Sequence, residues 1–100
     1  MKNVTYIQNT LFVSSKTLQK ADLDESQRNN VLNIVAPFLI TVESTLFEDY
    51  EQLRYLYIPN AEIVENGAFM GCSNLFKVVG SKVTELHEES FRNCSNLNAI

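Results

Sequence analysis

Several residue types that mark specialised protein classes are scarce in this 100-residue chain. It has three glycines, two prolines, two cysteines, one histidine and no tryptophan. The low glycine and proline contents exclude a collagen-like protein and a flexible low-complexity segment. With only one histidine and two cysteines, the chain also lacks the four ligands that a structural zinc site needs.

Positive charge and long apolar runs are lacking as well. Eight lysines and arginines stand against twelve acidic residues, which gives a formal net charge of −4. A nucleic-acid partner is not expected, because a phosphate backbone requires a basic face. The longest early apolar run, residues 11–13, is too short for a signal peptide or for a membrane span of roughly 20 residues. We therefore expect no membrane insertion and a cytoplasmic location.

What remains is an ordinary globular composition. Apolar residues make up 45% of the chain and charged residues 20%, so a mostly disordered chain is not expected. A chain of this length forms one small domain rather than two independent cores.

The chain resembles itself when it is shifted by 22 positions. Residues 69–75 then fall on residues 91–97, with phenylalanine, cysteine, serine, asparagine and leucine identical. Because one unit of this size cannot bury its own apolar residues, successive units are predicted to stack. The shift defines six apolar columns: Leu39/Ala61/Val83, Val42/Val64/Leu86, Phe47/Phe69/Phe91, Tyr50/Cys72/Cys94, Leu53/Leu75/Leu97 and Leu56/Val78/Ile100.

The repeated unit resembles the BspA-like leucine-rich repeat family. Residues 68–78 and 90–100 both have the form A/S-F-x-x-C-S-N-L-x-x-V/I, and Ile58-Pro59 resembles the strand ending of that family. The resemblance covers residues 36–100 well and residues 25–35 weakly. It implies a right-handed solenoid used for protein–protein contact, adhesion or structural packing, without catalytic residues or cofactors. It also makes the cell surface an alternative location.

The predicted fold class is α+β or mainly β, a leucine-rich repeat solenoid with an N-terminal cap. About three units, at residues 36–57, 58–79 and 80–100, lie within a repeat region at 25–100. Residues 1–24 are predicted to form a cap or hairpin, because an alternating segment that includes Val4 and Tyr6 leads into a polar turn at residues 8–10 and an apolar run returns at residues 11–13. Asp24 and Gln27 have the spacing of a capping-box variant, which predicts a short helix at about residues 25–30.

The motifs that resemble chemical sites are incomplete. Residues 87–91 begin like an H-E-x-x-H zinc helix, but Phe91 stands where the second ligand is needed. We interpret His87 as a solvent-facing turn residue, and Cys72 and Cys94 as buried free thiols in one column. The stacking distance also allows a disulfide between them, although no secretory signal supports it. No catalytic, cofactor-binding or metal site is predicted.

The outward positions of the predicted strands form a candidate interaction surface. Alternate strand residues point to opposite faces. Exposed aromatic residues on a sheet are typical of the centre of a protein interface. The alternative is that the two tyrosines are present only because tyrosine favours β-strands. The predicted partner is another protein or a second copy of the chain. The surface consists of the two outward columns Asn33, Tyr55, Lys77 and Val35, Tyr57, Val79.

The other predicted surface is the C-terminal edge, where Leu97 and Ile100 occupy strand positions that no further unit follows. Such an edge exposes unpaired backbone groups and apolar side chains. We expect another chain to cover it, unless the sequence is part of a longer solenoid. The alternative function is therefore a structural component of a larger assembly. A third hypothesis is an enzyme whose site is shared with another chain.

Overall fold

A computed structural model of the chain describes residues 3–97. Short strands dominate the described residues, which contain no α-helix but two 3₁₀ helices, at Lys20–Asp22 and Glu25–Asn30. A strand-dominated fold with few helices agrees with the predicted fold class. The strands are β1 (Val4–Ile7), β2 (Thr10–Val13), β3 (Asn33–Val35), β4 (Thr41–Val42), β5 (Tyr55–Tyr57), β6 (Ile63–Val64), β7 (Lys77–Val79) and β8 (Glu85–Leu86).

The strands form two sheets, with five strands in the order β1-β2-β3-β5-β7 and three in the order β4-β6-β8. In the larger sheet, Ile34 is opposite Leu56 and Leu56 is opposite Val78, in parallel register. In the smaller sheet, Val64 of β6 is likewise paired with a residue 22 positions away on each side. The 22-residue period of the sequence therefore equals the number of residues between paired positions of β3, β5 and β7, and it equals the same separation in the smaller sheet.

Aromatic side chains of one repeat column lie above one another in the core. Phe47 and Phe69 are fully buried, and their ring centroids are 5.5 Å apart at an interplanar angle of 16°. Phe91 continues the stack, 5.2 Å from Phe69 at 10°. Tyr50 meets Phe47 edge to face at 5.3 Å. Because the offset places equivalent residues side by side, each ring packs on its counterpart in the next turn of chain.

The turns that precede Tyr50, Cys72 and Cys94 each contain two residues with positive φ, in the left-handed region of backbone conformation. These positions lie four residues apart, and glycine suits them because it lacks a Cβ. Residues 66–71 form turns without a helix. The left-handed residues are Thr45 (φ 57°), Gly67 (68°) and Glu89 (62°) at the first position, and Asp49 (63°), Gly71 (81°) and Asn93 (64°) at the second.

The N-terminal hairpin continues the larger sheet. A two-residue turn, Gln8-Asn9, joins β1 and β2, and both residues have positive φ, as type I′ hairpin turns require. β2 is parallel to β3, with Leu11 opposite Ile34. The Asn9 side-chain amide donates to the Asn30 carbonyl oxygen at 2.7 Å, which fastens the turn to the segment before β3.

The predicted helix at about residues 25–30 is a 3₁₀ helix at Glu25–Asn30. The Asp24 carboxylate caps it by accepting from the Ser26 N–H at 3.0 Å. The predicted capping contact with Gln27 is wrong in detail, because the Gln27 N–H donates to the Asp24 backbone carbonyl. Hydrogen bonds between residues three apart define a 3₁₀ turn, so this bond replaces the capping box.

Candidate protein-binding face

The outward side chains of the larger sheet form two rows that run across its strands. We call these ten residues the strand face. Core residues alternate with them along each strand, because successive side chains point to opposite sides. The strand registers place Thr5, Phe12, Val35, Tyr57 and Val79 in one row and Ile7, Thr10, Asn33, Tyr55 and Lys77 in the other.

The outward aromatic residues are concentrated on this side of the molecule. Of the ten aromatic side chains in the chain, Phe12, Tyr55 and Tyr57 belong to the strand face, and the strands of the smaller sheet carry none. Phe12 is 40% exposed, Phe76 immediately before β7 is 47% exposed, and Phe38 shortly after β3 is 53% exposed. Tyr55 and Tyr57 are half-buried. An exposed aromatic surface on one sheet is the composition expected of an interface centre.

The charge of the strand face differs from that of the whole chain. Its strands contain no acidic residue, although the chain has twelve, and Lys77 is the charged member of the two rows. Arg54 immediately precedes β5 and is exposed. The smaller sheet and its turns carry carboxylates instead, among them Glu62, Glu65 and Glu85. The molecule thus separates a neutral-to-positive face from an acidic side.

The strand face is held in place by its backbone and by one side-chain bond. The Asn33 amide donates to the Thr10 hydroxyl at 3.3 Å, linking β3 and β2 across the second row. Asn33, Tyr55 and Lys77 stay in register because parallel pairing fixes their Cα positions. A surface ordered in this way loses little conformational freedom when a partner binds.

The structure brings the six predicted surface residues together on one face. Lys77 is exposed, and the other five are half-buried. Sequence reasoning missed Phe12 and Thr10, which β2 adds to the same rows. The apolar run at residues 11–13 predicts a returning strand, but β2 lies 23 positions before β3 rather than 22, so the repeat does not align it.

A scan against family models matches residues 27–100 to the family described as a BspA type leucine rich repeat region (6 copies). The chain belongs to this family. The resemblance read from residues 36–100, and more weakly from residues 25–35, is thereby confirmed over residues 27–100. Leucine-rich repeat regions generally mediate protein interactions and are generally non-catalytic. No match was found among curated proteins or among solved structures.

In this leucine-rich repeat protein, the incomplete zinc-helix motif at residues 87–91 does not form a metal site. His87 is exposed, and its Nε2 lies 2.6 Å from Glu85 Oε2. Within residues 3–97, no group of three or more histidine, cysteine, aspartate or glutamate side chains is placed to hold a metal ion. Nor does any helix in the described part of the chain have the length and apolarity of a membrane span.

The two cysteines of the repeat are free thiols in one column. Cys72 is fully buried and Cys94 is half-buried; each donates to a phenylalanine carbonyl, Phe47 and Phe69 respectively, at 3.2 Å. A hydrogen bond with Cys94 and burial raise the pKa of the Cys72 thiol. The same contact lowers the pKa of Cys94. Both side chains act as small apolar residues of the repeat core.

The C-terminal end of the repeat leaves apolar side chains accessible in the described residues. Leu86 is 52% exposed, although Val42 and Val64 of the same column are fully buried. It lines a cavity of about 320 Å³ together with Phe91 and other apolar side chains. Of the two predicted edge residues, Leu97 is half-buried and packs against the core. The other, Ile100, lies outside the described residues.

Proposed function

We propose that this chain is a non-enzymatic leucine-rich repeat module that binds another protein through its strand face. The proposed architecture is a solenoid of about three 22-residue units, at residues 36–57, 58–79 and 80–100, in a repeat region that starts at residue 25. Residues 1–24 serve as its N-terminal cap. Neither a nucleic acid nor a membrane interior is a proposed partner.

The position of the outward aromatic residues carries this proposal. Tyr57 lies between Val35 and Val79 in one row, and Phe12 extends the row by one strand. Aromatic side chains at the centre of an interface contribute much of its binding energy, because they bury large areas with few rotatable bonds. The row also lacks carboxylates that a partner would have to desolvate.

A charged pair at the N-terminal end supports the proposed cap. Counting back by 22, Glu25 and Arg28 occupy the positions of Phe47 and Tyr50, and their side chains form an ion pair at 3.4 Å. Polar residues at these positions end the apolar columns without presenting a new apolar surface. Terminal units of solenoids require such a polar outer side for solubility.

The test uses the two tyrosines at the centre of the face. A partner is first identified by affinity capture from the native source, and its affinity for the purified chain is then measured by calorimetry. The Tyr55→Ala/Tyr57→Ala variant is expected to weaken binding at least about tenfold, because central aromatic side chains of an interface each contribute roughly 1 kcal/mol or more.

The matched control is Ile63→Ala, which removes a half-buried outward side chain from the smaller sheet. We expect this variant to bind with unchanged affinity. Unchanged binding by the double tyrosine variant, or equal losses in both variants, would contradict binding through the strand face. Circular dichroism of both variants checks that the fold is retained.

A second candidate function, a structural component of a larger assembly, is favoured by the C-terminal end. Leu86 is half exposed at a position where the preceding units bury valine. Exposed apolar columns at the end of a stack gain free energy when another chain covers them. In this role the end of the repeat, rather than the strand face, makes the contact.

A further inference from the structure

The outer edge of β1 lacks the charged residues and prolines that commonly protect a sheet edge. β1 is the first strand of the larger sheet, and no other strand of residues 3–97 lies beyond it. Its sequence, VTYI, contains neither a charged residue nor a proline. Lysines and prolines commonly block pairing at exposed edges, and β7 at the opposite edge carries Lys77.

The hairpin register shows which backbone groups face outward at this edge. The Ser14 N–H donates to the Asn3 carbonyl at 3.0 Å, so these residues form a hydrogen-bonded pair. Alternation along an antiparallel ladder then turns the backbone groups of Thr5 toward β2 and those of Val4 and Tyr6 away from it. Two N–H and two C=O groups, spaced two residues apart, are what one additional strand needs for pairing.

A cavity of about 600 Å³ runs beside this edge, between residues 3–6 and residues 22–24. Two hydrogen bonds connect its walls. The Asn3 side-chain amide donates to the Asp22 carboxylate at 3.4 Å, and the Asp24 N–H donates to the Tyr6 hydroxyl at 3.0 Å. Its volume is within the range of ligand sites, and its walls are held together before any partner arrives.

The wall opposite the strand is acidic. Asp22 accepts from the Gln19 N–H at 2.9 Å, and Asp24 accepts from Ser26, so both carboxylates are held in position. Val4 and Tyr6 point toward the core side of the sheet. On an added strand, residues paired with them point the same way and therefore meet the acidic wall. On the added strand, lysine or arginine suits the positions that face the acidic wall. The residues between them point to the opposite side, beside the uncharged outward side chains of β1.

We propose that β1 binds an extended basic segment of a partner protein by strand addition, with alternate lysine or arginine side chains facing Asp22 and Asp24. The charge of the acidic wall selects this occupant over a second copy of the chain. Two copies joined edge to edge would bring their own carboxylates together, and like charges repel. The groove shares Thr5 with the strand face, so a strand added at β1 would extend the larger sheet beside that face.

The probe for this proposal is a synthetic octapeptide, (Lys-Val)₄, and the full chain is labelled with ¹⁵N. The expected result is saturable binding that perturbs the amide resonances of residues 3–6 and 22–24. Exchange of the Val4 and Tyr6 amide protons should slow at least about tenfold, because they become hydrogen-bonded. Binding should weaken as salt is raised, since charges contribute to it. A control peptide, (Glu-Val)₄, should not bind.

Two further peptides test strand pairing itself. N-methylation of all lysine backbone nitrogens, or of all valine backbone nitrogens, removes the donors on one edge of the peptide at a time. Because only one edge meets β1, one peptide should lose binding and the other should retain it. Equal binding by both would overturn strand addition. Amide changes confined to Tyr55 and Tyr57 would overturn it too, by placing the peptide on the strand face.

The Asp22→Asn variant tests the role of the acidic wall. It keeps a side-chain oxygen that can accept from the Gln19 N–H and the Asn3 amide, but it removes the negative charge. We expect it to lower (Lys-Val)₄ affinity at least about threefold, whereas Glu51→Gln, the matched control on an exposed turn, leaves it unchanged. Equal affinity in Asp22→Asn would contradict the role of the acidic wall. Concentration-dependent protection of Val4 and Tyr6 without peptide would instead identify a second copy as the occupant and overturn the proposal.

Discussion

At the scale of single residues, the phenylalanine column shows how the repeat stabilises the fold. Phe69 is fully buried between Phe47 on one side and Phe91 on the other, with nearly parallel rings. A ring in this position has close neighbours on both faces, which the smaller side chain of alanine cannot replace. The surrounding strands are tied by backbone hydrogen bonds and have little freedom to close the gap.

Phe69→Ala is therefore expected to lower the free energy of unfolding by about 3–5 kcal/mol, through lost burial and a residual cavity. Urea denaturation followed by circular dichroism measures the change. Phe38→Ala, which removes a ring that is 53% exposed, is the matched control and should change stability by less than about 0.5 kcal/mol. A loss below about 1 kcal/mol for Phe69→Ala would contradict the stacked column.

The two thiols should differ in reactivity although they occupy the same column. Cys94 is half-buried with a lowered pKa, whereas Cys72 is fully buried with a raised pKa. Thiolates react with alkylating reagents, so native-state labelling should modify Cys94 before Cys72. Peptide mapping after timed labelling measures the order. Denatured, unreduced protein should contain both free thiols, and a count of none would establish a disulfide instead.

Tyr50 predicts a loss of stability at alkaline pH. Burial raises the pKa of its phenol, so the folded chain retains a proton that the unfolded chain releases above about pH 10. Stability then decreases as the pH rises beyond that value. We expect Tyr50→Phe, which cannot ionise, to lose less stability than the natural chain between about pH 8 and about pH 10.5. Urea midpoints at the two pH values test this, and identical losses would contradict it.

At the scale of elements, the turns impose the strictest local requirement on the sequence. Each unit needs two left-handed residues, and the chain fills these six positions with only two glycines. Of the other four residues, Thr45 and Asp49 donate from their backbone N–H groups to the next turn, to the Asn66 carbonyl at 3.2 Å and to the Met70 carbonyl at 2.8 Å, and further backbone hydrogen bonds tie successive turns together. The Phe47 N–H donates to the Ala68 carbonyl at 2.8 Å, for example, and the Phe69 N–H donates to the Ser90 carbonyl at 2.8 Å.

Gly71→Ala should be destabilising, chiefly through its backbone conformation. The residue has φ +81°, which costs a non-glycine residue about 1–2 kcal/mol, and a Cβ there would also meet Asp49 Oδ1, the end of an exposed side chain that can turn aside. Thermal denaturation measures the total loss. Adding Asp49→Ala, which removes the carboxylate but keeps a non-glycine residue at φ 63°, should recover the part that is due to the contact, and failure to recover any stability would assign the whole loss to the backbone.

The matched control for this turn is Gly80→Ala. Gly80 lies outside the left-handed region, and its nearest neighbour, Val83 Cγ2, would be 3.4 Å from an added Cβ. This variant should stay within about 0.5 kcal/mol of the natural chain. A loss as large as that of Gly71→Ala would show that glycine is required at both sites for a reason other than backbone conformation.

At the scale of the whole molecule, the two ends of the repeat differ. In the proposed architecture, the hairpin and the Glu25–Arg28 ion pair cap the N-terminal end, whereas Leu86 is 52% exposed at the other. We therefore expect self-association or aggregation through the C-terminal end as concentration rises. Leu86→Lys should increase the monomer fraction in sedimentation equilibrium, because a charge there opposes apolar contact.

Phe38→Lys changes a side chain of similar exposure on another surface, and it should leave the association unchanged. A folded monomer whose sedimentation does not respond to Leu86→Lys would contradict a role for this end in assembly. Association that is lost equally in both variants would indicate a nonspecific effect of added positive charge.

The repeat determined much of the fold without reference to any tertiary contact. Once the chain matches itself at 22 residues, parallel in-register pairing places each apolar residue beside its counterpart. The columns around Phe69 and Leu56 follow from this rule, and so do the outward positions of Tyr55 and Tyr57. The family assignment is also readable from sequence, because two adjacent units preserve the same motif.

Tertiary structure alone decided the features that interrupt the period. β2 joins the sheet with an offset of 23 residues, so Phe12 enters the strand face through backbone pairing rather than through sequence similarity. The left-handed conformation of Thr45 has no local signal in the sequence, because threonine does not favour it and a hydrogen bond from its N–H to the Asn66 carbonyl of the next turn helps to hold it. A repeating sequence thus specifies pairing between equivalent units, whereas its ends and turns depend on contacts between residues that are not equivalent.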